Sequence, residues 1–298
     1  MSVRRLQKIK GGSYIISLPA DWIKKYGLDA KSELKVYEVW NGLKIKPLTT
    51  PKSERELILE DLDTTLYLIS VYYMQGVSKI VVRSKGVMSP EIKKALKELQ
   101  LSHPGLEVID ESFDSVTFVV NFSVTKDLNS LVSTYVEKIK KILSDLLLVI
   151  DNITPELKED LIFRCDSLIK DYRGIIRNIA VGVQLDDEYG FNLPEKDVIL
   201  YAIFMRDLGR FVSHLKQFIK LLNKDVEKEM VMKVVKMFEK STDMFLTEKL
   251  DEIKWLRSTM SELERVCNRT EACKELLRMA SYCIAIMDDA VHKSVRLI

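Results

Sequence analysis

Three kinds of side chain in this sequence could do chemistry: thiols and imidazoles, clustered cations, and carboxylates set along helices. The thiols are Cys165, Cys267, Cys273 and Cys283, at spacings that match no CxxC metal knuckle. A helical context and a reducing compartment predict free thiols rather than a disulfide between Cys267 and Cys273. The imidazoles of His103, His214 and His292 are dispersed, and no HExxH, P-loop, GxGxxG or GxSxG pattern occurs. No nucleophile and base can be paired from spacing. The expectation is a protein that is not an enzyme.

The cations are unevenly distributed. Residues 1–50 carry ten Lys/Arg against four Asp/Glu, a net of +6, whereas the whole chain is only +2 and its remainder sums to −4. A basic segment attached to an acidic body suits contact with a phosphate backbone, and dimerisation would double the local charge.

The elements that must carry these cations are legible in the pattern. Val3 to Ile9 and Ser13 to Leu18 are β-formers flanking Gly11-Gly12, which predicts two strands joined by a tight turn. Pro19 as first helical residue and Gly27 just past the end bracket a short helix over Ala20 to Tyr26. Leu34, Val36, Leu43 and Ile45 alternate with Lys35, Tyr37, Lys44 and Lys46 around Asn41-Gly42, a second hairpin that Pro47 ends. So short a piece cannot bury enough apolar surface alone, so a second copy is expected to complete it.

The run RRLQKIKGGSYIISLPADWIKKYGL, from Arg4 to Leu28, followed by the second hairpin, resembles the swapped-hairpin, AbrB/SpoVT-like DNA-binding domain over about residues 2 to 48. Two chains of that family interleave their hairpins into one small barrel. The resemblance implies that Arg4, Arg5, Lys8, Lys10 and Ser13 face DNA. Other members hold proteins together and touch no DNA.

At 298 residues the chain has room for two or three domains, and 47% hydrophobic residues with only 11 Gly and 7 Pro predict a folded, helix-rich protein. Neither a membrane span nor a signal peptide is legible, so a cytoplasmic location is expected. Thr49-Thr50-Pro51 predicts a connector, then a helix from Glu54 to Gln75 ending at Gly76, a strand over Lys79 to Arg83, and a helix from Ser89-Pro90 to about Leu99. Strands over Leu106 to Asp110 and Ser115 to Phe122 complete a small α/β layer, a spacer or regulatory module with its helices on one face.

From residue 123 onward the pattern is helical. Stripes run from Leu131 to Val149, from Val198 to Leu222 and from Leu276 to Val291, with breaks near Thr154-Pro155, Asn192, Asn223 and Asn268. About six helices follow, three plus three. The stretch RDLGRFVSH, Arg206 to His214, and the terminal MDDAV resemble the repeated motif of the PhoU family, proteins that restrain phosphate uptake through two three-helix bundles and bind metal through paired acids. Here the acid positions hold Gly209 and Ser213, Asp288 faces Ile284 four residues earlier, and anchoring the second helix on Arg177 places Cys165 and Ile169 at its pair. No cofactor is expected, and at most weak metal binding by the remnants Asp207, Asp288 and Asp289.

The expected architecture is therefore multi-domain and mainly α: a swapped-hairpin domain over 1–50, an α/β domain over 51–122, and PhoU-like tandem three-helix bundles over 123–298. The expected function is that of a homodimeric, DNA-binding, phosphate-responsive regulator. Its rival is an interaction module that restrains a phosphate transporter subunit or a sensor kinase through the helices.

Overall fold

The computed structural model describes residues 3–39, 42–48, 53–185, 191, 193–222, 226–267 and 270–295. Two compact units result, Met1–Pro51 and Lys52–Ile298.

In the first unit Gly11 and Gly12 adopt φ of 117° and 96°, which side chains resist, and reverse the chain between β1 (Gln7–Lys8) and β2 (Tyr14–Ile15). Both strands are shorter than the runs of β-formers predict. A strand pair with no covering layer has nothing to hold its ends, and Leu6, Tyr14 and Ile16 remain exposed beside it. Helix α1 (Ala20–Lys25) begins after Pro19, which occupies the N-cap rather than the first helical position. Gly27 N–H and Leu28 N–H close its end on the Lys24 and Ile23 carbonyls at 3.2 and 3.0 Å. Strands β3 (Leu34–Val39) and β4 (Gly42–Pro47) pair Val36 with Ile45 and Tyr37 with Lys44, the alternation that the sequence predicts. Asn41 of the predicted turn and the Thr49-Thr50-Pro51 connector lie outside the described residues. No described residue of this unit is buried; Val36 is 59% and Leu43 70% exposed.

The second unit opens with a sheet of order β5-β6-β8-β7, built from β5 (Glu54–Ile58), β6 (Lys79–Arg83), β7 (Leu106–Glu111) and β8 (Ser115–Val120). β5 runs parallel to β6, and the other pairings are antiparallel. The helix expected from Glu54 is thus a strand followed by α2 (Leu62–Met74). The step from Leu57 to Leu62 would set those side chains about 140° apart on a helix, breaking its stripe. Asp61 marks the true start, its side chain accepting from Thr64 N–H at 2.8 Å. Ser89 caps α3 (Pro90–Ser102), with Pro90 at its first turn as predicted. Ile69 and Tyr73 of α2 and Leu96 of α3 pack with Ile80, Val82 and Phe118 of the sheet in one apolar cluster.

Six helices follow among the described residues: α4 (Leu128–Val149), α5 (Pro155–Leu185), α6 (Glu195–Leu221), α7 (Lys228–Thr247), α8 (Ile253–Val266) and α9 (Glu271–Ser294). Their apolar stripes share one core. α6 lies along both α5 and α9, α9 along both α6 and α7, and α4 along both α5 and α7, so the six pack as one body about that core rather than as two separate groups of three. Asp127 and Thr270 cap α4 and α9 through Ser130 N–H and Cys273 N–H. Thr154 at the first predicted break accepts from Leu157 N–H at 3.3 Å, while Asn192, Asn223 and Asn268 of the other breaks lie outside the described residues.

The α/β layer and the helices meet along α5. Arg177, 4% exposed, donates from Nη1 to the Tyr73 and Val77 carbonyls at 2.6 and 3.0 Å, closing the C-terminal end of α2. Its guanidinium also lies 5.0 Å from the Tyr73 ring centroid and 5.9 Å from that of Phe122. One turn earlier, Arg173 donates to the Ser102 carbonyl at the end of α3 at 3.1 Å. Two cations on one helix thus meet the negative ends of two others. Asn178 clasps the connecting segment, accepting from Thr125 N–H at 2.8 Å and donating to the Thr125 carbonyl at 3.1 Å.

Candidate nucleic-acid interface

The residues expected to face DNA lie on and before the first hairpin of the first unit. Arg4 and Arg5 precede β1, Lys8 lies within it, Lys10 enters the glycine turn and Ser13 leaves it; all five are exposed. The Ser13 carbonyl accepts from Ile9 N–H at 3.0 Å, which closes the turn and sets Lys8 opposite Tyr14 in the ladder. The Lys8 ammonium lies 5.8 Å from the centroid of the Tyr14 ring. Among the described residues no acid pairs with Arg4, Arg5, Lys8 or Lys10. Unpaired surface cations displace counterions from a phosphate backbone without first breaking a bridge of their own. Nearby, Asp29 is spent on structure: it accepts from Lys31 N–H at 2.9 Å and from the Ser32 hydroxyl, and these bonds hold its carboxyl below the usual range.

The helical remnants are arranged otherwise. Asp207, 3% exposed, accepts from Nε and Nη2 of its neighbour Arg206 at 2.9 and 3.2 Å. Asp289 on α9 is buried, Asp288 beside it is exposed, and so the inward carboxylate is the second of the pair rather than the Asp288 that motif register picks out. Asp289 Oδ2 finds no hydrogen-bond partner among the described residues. Burial and then the Asp207 carboxylate push the Asp289 carboxyl up to about 7, with Arg206 opposing.

A PhoU-like metal cluster needs several carboxylates with free oxygens, and this seam does not fit one. Both Asp207 oxygens are taken by Arg206. A Cβ on Gly209 would stand 2.7 to 3.0 Å from the Tyr172 ring, so the aromatic ring fills the space a side chain at this position would need. The Ser213 hydroxyl is turned onto the Gly209 carbonyl at 2.9 Å. Among the described residues no three His, Cys, Asp or Glu side chains converge as a metal site.

The sequence reading assigned the thiols and imidazoles no role. All four cysteines are free and buried, and burial pushes the Cys165 and Cys267 thiols up to about 12. Burial lowers His103 to about 4, so that ring is neutral, with Nδ1 2.9 Å from the Leu99 carbonyl oxygen. His214 pairs with Glu275 across the α6 and α9 seam at 2.6 Å. Spacing along the chain did not single out this pair or the two arginines of α5, because their partners lie 61 to 104 positions away.

Residues 7–53 match the family described as Antidote-toxin recognition MazE, bacterial antitoxin. That match supports an N-terminal domain of the AbrB/SpoVT-like, swapped-hairpin type, in a chain that is mainly helical. No curated protein and no solved structure matches the chain. Among the described residues no helix is long and apolar enough to cross a membrane.

Proposed function

We propose that this chain is a dimeric, DNA-binding regulator that responds to phosphate status, without catalysis of its own. The observation that carries the DNA-binding part is the pairing of an exposed, unbridged basic strand with a unit that buries none of its described residues. A second copy would cover Val36, Leu43 and their neighbours, leaving two sets of Arg4, Arg5, Lys8 and Lys10 for the DNA backbone. The dimer geometry would then set the spacing of the contacted half-sites. Phosphate as the signal rests on the likeness of RDLGRFVSH and MDDAV to the PhoU motif and on the six-helix body behind them.

The test is fluorescence anisotropy at two salt concentrations, with duplex from upstream of the protein's own gene and an unrelated duplex. Binding should be tighter to the first, weaken steeply with salt, and be lost in Arg4→Ala/Lys8→Ala. A confirmed dimer that binds neither duplex at low salt would refute the DNA reading.

The second reading is a protein-interaction module that restrains a phosphate transporter subunit or a sensor kinase through its helices. It is favoured by the matched family's own description, which is of recognition between proteins. Co-purification with a transporter ATPase, without DNA affinity, is the outcome expected of it.

A further inference from the structure

A cleft of about 250 Å³ lies where the segment joining the α/β layer to the helices crosses α4 and α5. Its walls are apolar: Pro104 and Phe122 from the α/β side, Leu131 from α4, and Ile175 from α5. Gly174 permits this closeness, since a Cβ there would already stand 3.3 Å from Pro104 and 3.6 Å from Phe122. At the rim stand two opposite charges, Lys138 of α4 and Asp171 of α5, paired at 2.7 Å. Thr134 of α4 also lines the rim and is exposed. The walls are held in place by contacts at and around the cleft. Asn178 fixes the connector at Thr125, Arg177 flanks Phe122, and α4 and α5 are anchored in the common core.

We infer that this cleft is a binding site for a small zwitterion with an apolar body, an α-amino acid with an aliphatic, thioether or phenyl side chain. Size sets the class. A dry cavity of roughly 150 Å³ admits benzene, and drug-sized ligands need about 300 Å³ or more, so this cleft suits one small metabolite and is too small for a nucleotide. Charge sets the head group. A wall this apolar gives a free inorganic anion little, whereas an ammonium and a carboxylate on one carbon match Asp171 and Lys138 together. The rim pair is half-exposed, at 53% and 38%, and such a bridge is worth only about 0 to 1 kcal/mol, so its partners exchange readily for those of a ligand. Position sets the consequence. A ligand there bridges the connector to α4 and α5 beside the Arg177 clamp, so its occupancy adds contacts between layers that otherwise meet along α5.

The test is calorimetric titration of the full chain with leucine, isoleucine, valine, methionine and phenylalanine, each to concentrations on the order of 10 mM, which detects dissociation constants up to the millimolar range. Alongside run 4-methyl-2-oxopentanoate, which has leucine's body and carboxylate without its ammonium, and inorganic phosphate. At least one amino acid should bind, the oxo acid should bind at least tenfold more weakly, and Lys138→Ala and Asp171→Ala should each lose at least tenfold. Thr134→Trp, a substitution at an exposed helical position that fills the cleft, should abolish binding while the unfolding transition is unchanged. The inference is overturned if no amino acid binds, if the oxo acid binds as tightly as leucine, if phosphate alone binds, or if Thr134→Trp leaves affinity intact.

Discussion

The first fifty residues and the body behind them handle charge and apolar surface in opposite ways. In the first unit Arg4, Arg5, Lys8 and Lys10 meet no acid among the described residues, the apolar side chains are open, and regular structure is held by glycine turns and short ladders. In the body, Arg177, Asp207 and Glu275 are buried and each is tied to a named partner, over extensive apolar cores. Asp289 Oδ2 is an exception, a buried oxygen of the body without a partner among the described residues. On the proposed function, the contrast separates the face that would meet DNA from the frame behind it.

The strongest way to break the contrast is dilution. If the first unit depends on a second copy, its amides from residue 3 to 48 should lose hydrogen-exchange protection as the chain is diluted, while those of α6 and α9 keep theirs. Protection of both that ignores concentration would show that the first unit stands alone. Next in size is Arg177→Met, which strips two carbonyls at the end of α2 of their donor and should cost about 3 kcal/mol in denaturant unfolding. Arg4→Ala, by contrast, should change stability by no more than about 0.5 kcal/mol.

Asp289 sharpens the contrast through pH. Its carboxyl is raised from 3.8 to about 7 in the folded state, so the native chain keeps this proton where the unfolded chain has lost it. Its contribution to stability therefore falls as pH rises from about 4 to about 7 and is level above, by at most about 1.4 kcal/mol per pH unit. Asp289→Asn should thus be more stable than the parent at pH 8, by about 2 kcal/mol, with the difference fading toward pH 4; equal stability at pH 8 would remove the buried-carboxylate account. The smallest effect is thermodynamic rather than structural. Arg4→Ala and Lys8→Ala singly, which keep measurable binding at low salt, should each lower the magnitude of the slope of log affinity against log salt by about 1, one per lost phosphate contact.

Much of this was legible in the sequence because it is written locally. Gly-Gly, the Ser89-Pro90 helix start, and the stripes of α4, α6 and α9 depend on residues a few positions apart. What was not legible depends on distance. Glu54 to Ile58 became a strand because Lys79 to Arg83 lies beside it, a pairing of residues 25 positions apart that no local period announces. Val3 to Ile9 fell short of a full strand, since only Gln7 and Lys8 find partners, on Ile15 and Tyr14. At the α6 and α9 seam, motif register pointed to Asp288, but the packing of two helices decides which of two adjacent acids faces inward. The cleft beneath the connector had no sequence signature, because its walls come from four separate segments.

Helix α5 is one uninterrupted rod of 31 residues, about 46 Å long. Its early turns are set in the common core and its later turns carry the arginines that grip α2 and α3. In mechanical terms it is a lever with no joint along its length. A tilt of 5° at the Pro155 end moves the far end by about 4 Å, roughly one side-chain contact. A displacement at the Pro155 end therefore need not be relayed from residue to residue, because the rod carries it to the arginines that hold α2 and α3.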